Sequence, residues 1–284
     1  MLTTDIEAAT DADLDALERR IAAPFMRTFP LGVVIWGFTN TAVWLALWPL
    51  VLLDLLPLWV AFPIATLNVA LAYLPSHDAQ HNIIARKGHP LRWLNELLGH
   101  VALIPLALPF RTLRHTHFEH HRNANDPVRD PDYDVHVDTV FAFFRKHIGQ
   151  SGTGGYLETL QRIQRPDLVV ESLAFQAIYL ILLFGLAWSG YALEAALLWW
   201  LPKQIAMLWI RFYLSWMPHH PAVEQGRYRD TRAFRSRFGN LWSGGMQYHI
   251  VHHLYPTIPL MQTPAAFRAL RPVLERKGCD LGGL

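Results

Sequence analysis

The residues of this chain that are best suited to chemistry are histidines, which cluster in four short runs. Residues 115–121 read HTHFEHH and contain four histidines in seven positions. The other runs are HDAQH at 77–81, PHHP at 218–221 and HIVHH at 249–253. Residues three or four positions apart lie on the same face of a helix. The spacings H-x-x-x-H and H-x-x-H-H therefore direct two or three imidazole rings toward one point.

Converging imidazoles of this kind indicate a metal site. Neutral imidazole binds zinc, copper, iron and nickel, and one zinc site usually takes three or four protein ligands. Eight or nine histidines exceed that number, so the sequence predicts two metal ions. One histidine of the PHHP run, His219 or His220, is a further expected ligand. The other runs supply His77, His81, His117, His120, His121, His249, His252 and His253.

The remaining histidines and the cysteine carry weaker signals. The chain has one cysteine, Cys279, which excludes an internal disulfide and a cysteine-based metal site. Polar loops tolerate single histidines freely, so a single histidine in a loop needs no ligand role. His89, His136 and His147 are therefore interpreted as ordinary loop residues, while the roles of His100 and His115 stay open.

The elements that must position these runs are apolar enough to lie in a membrane. Residues 31–75 contain one charged residue, Asp54, and residues 169–217 are nearly uncharged. One spanning helix needs about 20 residues, so each block fits two. We predict spans at 31–52, 56–75, 170–189 and 193–216. The sequences LDLLP and WSGYALE form the turns within the two hairpins.

The distribution of basic residues predicts the orientation of these hairpins. Three arginines precede the first span, and arginine and lysine fill the segment between the hairpins and recur after the last span. Cytoplasmic loops carry an excess of these residues. The N-terminus, the middle segment, the C-terminus and all four histidine runs are therefore expected at the cytoplasmic face of the inner membrane.

These features predict an all-α integral membrane protein. Four transmembrane helices in two hairpins would carry a cytoplasmic helical cap with a dinuclear metal site. Residues 1–29 form an N-terminal amphipathic segment in this prediction, and residues 30–284 form the membrane domain. The first twenty residues lack the apolar run of a signal peptide, and TDADLDALERRI at 10–21 predicts a capped helix. Nucleic-acid binding is not expected, and the oligomeric state stays open.

The histidine runs also carry a family resemblance. Their order, H-x-x-x-H, H-x-x-H-H and H-x-x-H-H, resembles the membrane fatty-acid desaturase and hydroxylase superfamily from around Pro75 to the end of the chain. Finer motifs are similar to the cyanobacterial-type β-carotene hydroxylases. These motifs are HDAQHN, HFEHHRNANDPVRDPD, WMPHHP, YHIVHHLYPTIP and LERKGCD.

The resemblance implies a di-iron enzyme that uses O2 and electrons from a ferredoxin or a similar donor. The implied reaction is hydroxylation at C3 of a β-ionone ring, which converts β-carotene into zeaxanthin by way of cryptoxanthin. The eight histidines of the H-x-x-x-H run and the two H-x-x-H-H runs would be iron ligands. His219 matches the family's Pro-His-x-Pro position and becomes the ninth. His220, where arginine is expected, and the extra His115 depart from the pattern.

Charged residues near the runs are candidates for supporting roles. Acids beside metal ligands orient imidazoles through their second ring nitrogen, although Asp-Pro sequences also form surface turns. Basic side chains at this face suit an acidic electron donor or anionic lipid headgroups. The candidate acids are Asp78, Glu119, Asp126, Asp130 and Asp132, and the basic residues are Arg111, Arg114 and Arg122.

Four other functions fit parts of the pattern. Two belong to the same superfamily, a carotenoid 4-ketolase and a fatty-acyl desaturase, and ketolases share the Met-Pro-His element seen here as MPHHP. An intramembrane zinc protease would use HDAQH as a variant of H-E-x-x-H, but it leaves both H-x-x-H-H runs unexplained. A metal transporter would carry its ligands at mid-membrane along a pathway, whereas these runs are predicted at one surface.

Overall fold

The computed structural model of the protein describes residues 9–148 and 161–284. Within these residues the chain forms helices, turns and loops and contains no β-strand, as the sequence predicts. The helices are α1 (Asp11–Ala22), α2 (Leu31–Leu52), α3 (Leu58–Leu71), α4 (Tyr73–Gln80), α5 (Arg92–Ala102), α6 (Phe110–Asn123), α7 (Val140–His147), α8 (Pro166–Leu186), α9 (Ala192–Ala195), α10 (Leu201–Ile210), α11 (Met217–His219), α12 (Gly239–Trp242), α13 (His249–Leu254) and α14 (Thr263–Arg276). Turns of π-helix at Ala187–Tyr191, Ala196–Trp200 and Arg211–Trp216 connect α8 to α11, and 3-10 turns lie at Phe25–Arg27, Tyr133–Val135, Met246–Tyr248 and Leu260–Gln262.

Helix α1 begins where the sequence predicts a capped helix. The Thr10 hydroxyl accepts a hydrogen bond from the Asp13 amide at 3.3 Å, and the Asp13 carboxylate accepts one from the Thr10 amide at 3.2 Å. This reciprocal capping box satisfies two amides that the first turn would leave without partners. The predicted division into residues 1–29 and 30–284 stays a prediction, and residues 1–8 lie outside the described part.

Three helical stretches in the described residues are long and apolar enough to cross a membrane. They are Leu31–Leu52, Leu58–Gln80 and Pro166–His219, with 22, 23 and 54 residues. The first two agree with the first two predicted spans. The third is interrupted at Gly190, whose φ of 96° is outside the helical range and falls within the predicted turn WSGYALE. The number of crossings and the orientation stay predictions.

Contacts divide the chain into two compact units. Unit I comprises Gly32–Phe118 and Thr139–Phe212. Unit II comprises Met1–Leu31, of which residues 9–31 are described, together with Glu119–Asp138 and Tyr213–Leu284.

Polar and aromatic contacts hold the apolar helices of unit I together. The side-chain amides of Asn40 and Asn68 each donate to the other residue's carbonyl, at 2.9 and 2.8 Å. The Trp44 indole donates to the Leu198 carbonyl at 3.0 Å and packs edge-on against Trp199. Lipid provides no hydrophobic force between helices, so such hydrogen bonds and close packing specify which helices associate.

Helix α4, which carries the first histidine run, is fixed against α5 within unit I. The Ser76 hydroxyl donates to the Gly99 carbonyl at 3.1 Å, and the Asn95 amide donates to the Ala79 carbonyl at 3.0 Å. Gly99 also lets α5 pack closely against α6, because a Cβ there would lie 2.3 Å from the ring of Phe110. The position of the first run therefore depends on these buried contacts.

The core of unit II packs α1 against the histidine run at 249–253. Ala22 of α1, Ile250 and Leu254 of α13, and Phe267 and Leu270 of α14 form one buried apolar cluster. Burying such side chains stabilises a fold by about 1.5–3 kcal/mol each. The N-terminal helix is therefore part of the structure that supports α13.

Candidate metal centre

Three predicted ligands converge in unit I. His77 and His81 come from α4 and its C-terminal cap, and His117 comes from α6. Their ligand atoms lie within 4.8 Å of one another. The Nε2 atoms of His81 and His117 are 2.8 Å apart.

Four more predicted ligands converge in unit II. His120, His219, His249 and His253 place their ligand atoms within 4.8 Å of one another. The Nε2 atoms of His120 and His219 are 3.1 Å apart. His120, His219 and His249 are each no more than 3% exposed, so these imidazoles are shielded from bulk water.

The last two predicted ligands form a pair in the same unit. The Nε2 atoms of His121 and His252 are 3.0 Å apart. The His121 ring also stacks on the ring of His253, with their centroids 4.2 Å apart. All nine histidines singled out in the sequence therefore belong to the trio, the quartet or this pair.

The donor set and its geometry fit metal binding. Two nitrogens each about 2.1 Å from one metal ion, at right angles, lie about 3 Å apart, which matches the three Nε2 separations. The Nε2 atom of His253 is buried without a hydrogen-bond partner, an arrangement that is costly unless a ligand satisfies the atom. A set of imidazoles alone suits iron, zinc or copper.

Asp130 orients one of the quartet histidines. Its Oδ1 accepts the Nδ1–H of His120 at 2.8 Å, and its two oxygens also accept the amides of Asn125 and Asp132, both at 2.9 Å. Burial opposes protonation of His120, but the hydrogen bond and charge of Asp130 outweigh it and raise the pKa of this imidazole. With Nδ1 donating to Asp130, the lone pair of Nε2 faces the other three histidines.

Asp230 supports two histidines and was not identified from the sequence. Its backbone carbonyl accepts from His219 Nδ1 at 2.8 Å, and its carboxylate lies 4.0 Å from His253 Nδ1. Burial raises the pKa of Asp230 to about 6. In the sequence RYRDTR this acid is flanked by arginines and resembles an exposed basic loop, so only the tertiary contact identifies it.

The other candidate acids have different surroundings. The Asp126 carboxylate accepts the amides of Val128 and Arg129 at 2.9 and 3.0 Å, which is the Asp-Pro surface turn considered above. Glu119 pairs with Arg122 on the exposed side of α6. Asp78 is 1% exposed on α4. Asp132 accepts a 3.4 Å hydrogen bond from Ser215.

Five of the six histidines outside the nine have contacts of the following kinds. The His89 Nδ1 accepts the Leu91 amide at 3.1 Å. Four rings pack on aromatic neighbours, at centroid distances of 5.1 Å for His100 on Phe110, 5.4 Å for His136 on Tyr133, 4.5 Å for His147 on Phe143 and 4.5 Å for His220 on Trp216. The His136 ring also lies 6.1 Å from that of His219 in the quartet. The choice of His219 over its neighbour His220 therefore agrees with the geometry of the quartet.

The three arginines considered for an electron donor are each paired within the chain. Arg111 contacts Asp167 and Glu171 at 2.7 and 3.1 Å. Arg114 contacts Glu96 at 2.7 Å, and Arg122 pairs with Glu119. These pairs are partly exposed, so the arginines contribute less positive charge to the surface than the sequence alone indicates.

Comparison with known proteins identifies the family. Residues 53–281, well over half of the chain, match the family model described as fatty acid desaturase. The chain belongs to the fatty acid desaturase family. The superfamily resemblance of the histidine runs is thereby confirmed, whereas the resemblance to β-carotene hydroxylases stays a prediction.

Curated desaturases are similar to this member of the family at low identity. An sn-1 oleoyl-lipid 12-desaturase of Anabaena variabilis is 22% identical over 239 residues, which cover 78% of this chain and 59% of that protein. The dihydrorhizobitoxine desaturase of Bradyrhizobium elkanii is 26% identical, with 80% and 73% covered. An sn-2 acyl-lipid omega-3 desaturase (ferredoxin) of Helianthus annuus is 22% identical, with 77% and 57% covered. The chain thus spans less than two thirds of two of these three relatives.

Proposed function

We propose that this chain is an O2-dependent di-iron oxidoreductase that acts on a lipophilic substrate in the membrane. The observation that carries the proposal is the convergence of four histidines in the quartet of unit II and of three in the trio of unit I, in a member of the fatty acid desaturase family. Three apolar helical stretches support a substrate that arrives from the bilayer.

The nine histidines are proposed to hold two iron ions. The quartet supplies four imidazoles within unit II, and the trio supplies three within unit I. Helix α6 contributes to all three sets, because His117 is followed by His120 and His121 at the i+3 and i+4 positions of the same helix. A rigid helix fixes the spacing between the ligands that it carries.

The protein's own contribution is to fix these ligands and exclude water. Bound iron would supply O2 activation and single-electron transfer. Asp130 and the Asp230 carbonyl hold the Nδ1 protons of His120 and His219, so each Nε2 lone pair stays directed at the metal position. The outer partners of ligating histidines typically contribute 10–100-fold to metal affinity.

For the substrate, we propose hydroxylation of a carotenoid β-ionone ring at C3. The motifs WMPHHP and YHIVHHLYPTIP support this choice, through their likeness to β-carotene hydroxylases. Hydroxylation and desaturation both begin with removal of hydrogen from an unactivated carbon. They differ in how the target C–H bond is held, where an error of about 1 Å can change the rate 100-fold.

Desaturation of a fatty-acyl chain is the second candidate, and it is supported about equally well. The similar protein from Anabaena variabilis is by name an oleoyl-lipid desaturase, and the one from Helianthus annuus is an acyl-lipid desaturase. The name of the Helianthus annuus protein also includes ferredoxin, which supports a ferredoxin-like electron donor for this chain.

Product analysis in a host that makes β-carotene tests the choice of substrate. Cells expressing the chain together with a ferredoxin system are analysed for pigments and for acyl chains. Cryptoxanthin and zeaxanthin are the expected products. A ketone at C4 would assign a ketolase. Unchanged pigment with new double bonds in acyl chains would assign a desaturase, and no change in either would count against the proposed function.

Metal analysis of two neighbouring variants tests the ligand assignment. His219→Ala removes a quartet ligand and is expected to lower the iron content per chain and abolish product formation. His220→Ala, a matched control beside it, is expected to retain iron and turnover because its ring packs on Trp216. Equal iron loss in both variants, or turnover retained in His219→Ala, would refute the assignment.

A further inference from the structure

A short segment of unit II exposes large apolar side chains to the surroundings of the protein. In residues 235–242, which include helix α12, Phe238 is 66% exposed, Leu241 90% and Trp242 48%. Soluble surfaces rarely expose several large apolar side chains together unless they bind something. Arg235 and Arg237 in the same segment are exposed as well.

The segment is held in place from behind. The Trp242 indole donates to the Tyr213 hydroxyl at 3.0 Å. The Gln247 side chain accepts the Ser236 amide at 3.2 Å, and the Ser243 hydroxyl accepts the Gln247 amide at 3.3 Å. The apolar side chains are therefore displayed by an ordered framework.

The hydrogen bond from Trp242 to Tyr213 places the segment beside the last apolar helical stretch. Tyr213 belongs to the stretch Pro166–His219, which is long and apolar enough to cross a membrane, and it lies six residues from the end of that stretch. The ends of spanning helices lie at the boundary between lipid and water. A segment bonded to Tyr213 lies at the same boundary.

The composition of the segment matches that boundary. Tryptophan and tyrosine are enriched at membrane interfaces, where the apolar body of the ring enters lipid and the polar atom stays hydrated. Arginine beside them binds lipid phosphate, and a basic residue near an anionic membrane contributes about 1 kcal/mol. Amphipathic segments of this kind bury their apolar face about 5–10 Å into the headgroup region.

We propose that residues 235–242 form an interfacial anchor that inserts into the phospholipid bilayer. Phe238, Leu241 and Trp242 enter the boundary of the acyl region, and Arg235 and Arg237 contact lipid phosphates. This function goes beyond the proposed oxidoreductase activity. Because α13 begins at His249, seven residues after Trp242, the anchor also ties the histidine run at 249–253 to the membrane surface.

Site-specific fluorescence in nanodiscs tests this proposal. The single cysteine is removed by Cys279→Ser, and an NBD label is attached to Leu241→Cys. Val128→Cys is the matched control, since it is 75% exposed in unit II and lies in the charged Asp126 turn. The expected results at position 241 are blue-shifted emission and several-fold stronger quenching by doxyl-lipid than by aqueous iodide, with the reverse order of quenching at position 128.

Emission at position 241 that is water-like, and quenched by iodide as strongly as at position 128, would overturn the proposal. Phe238→Cys serves as a second labelling site if Leu241→Cys fails to fold. Iron content is measured on every labelled protein. A labelled protein that holds iron but shows no lipid contact at position 241 would count against the anchor alone. An unlabelled parent protein that holds no iron would count against the proposed function alone.

Discussion

At the scale of single residues, histidine spacing carried more information than any other feature. The spacing of three runs follows from helix geometry and predicts eight of the nine candidate ligands, whereas the ninth, His219, follows from the resemblance to the Pro-His-x-Pro position. The acids could not be separated in this way. Asp126 and Asp130 both precede a proline in NDPVRDPD, yet one caps an exposed turn and the other holds His120. Which acid meets a histidine depends on contacts that the local sequence does not encode.

Asp130→Asn is expected to lower iron affinity by about 10–100-fold. The substitution keeps the size of the side chain but removes the negative charge that holds the Nδ1 proton of His120. Iron retained per chain is measured during titration with a chelator. Asp126→Asn is the control, because it changes an acid of the same loop without contact to a histidine. Equal iron loss in the two variants would contradict an orienting role for Asp130.

At the scale of elements, the sequence predicts helix α1 but not the residues that it packs against. Glu18 lies in the predicted amphipathic segment, where an acid normally faces solvent, yet it is 1% exposed. Its carboxylate accepts hydrogen bonds from Arg227 at 3.0 Å, Tyr228 at 3.0 Å and Tyr255 at 2.7 Å. These partners lie more than two hundred positions along the chain, beyond the reach of local patterns.

Cys279 is partly buried against the apolar cluster that contains Ala22 and Tyr255. Glu18→Ala is expected to loosen this packing and expose Cys279. Losing hydrogen bonds to a charged group costs about 2 kcal/mol, which raises an open population roughly 30-fold. Burial raises the pKa of the Cys279 thiol to about 11, so near pH 8 it holds about 100-fold less of the reactive thiolate than it would at its usual pKa. The measurement is the rate at which a maleimide labels Cys279.

Asp11→Asn is the control for this experiment. The Asp11 side chain is 91% exposed and forms an ion pair with Lys277, and ion pairs at the surface contribute about 0–1 kcal/mol. Its labelling rate should stay close to that of the parent. A Glu18→Ala protein that labels as slowly as the parent would show that α1 packs without help from this carboxylate.

At the scale of the whole molecule, contacts within unit II bear on the number of membrane crossings. Glu18 precedes every apolar stretch, and Tyr255 follows all of them, yet the two side chains are hydrogen-bonded. The prediction of four crossings puts these two segments on the same side of the membrane, where this hydrogen bond can form. In that prediction Leu31–Leu52 and Leu58–Gln80 cross once each, and Pro166–His219 crosses twice with its turn at Gly190.

The prediction of four crossings places Trp188 and Val128 on opposite sides of the membrane. Trp188 is 94% exposed beside the turn at Gly190, and Val128 lies between the second and third apolar stretches. Trp188→Cys and Val128→Cys, each in the Cys279→Ser background, are treated with an impermeant maleimide in sealed vesicles of both orientations. In vesicles of each orientation, the maleimide should label one of the two variants and not the other. Labelling of both variants from the same side would exclude this topology.

The hydrogen bond between Glu18 and Tyr255 links positions 237 residues apart, and Glu18 precedes the family match, which begins at residue 53. A chimera that joins the matched region of this chain to a leading segment without the Glu18 carboxylate would leave Arg227, Tyr228 and Tyr255 without this hydrogen-bond acceptor. Residues 11–22 and 227–255 should therefore be inherited together, as one compensating set, whenever family members recombine or are spliced in the laboratory.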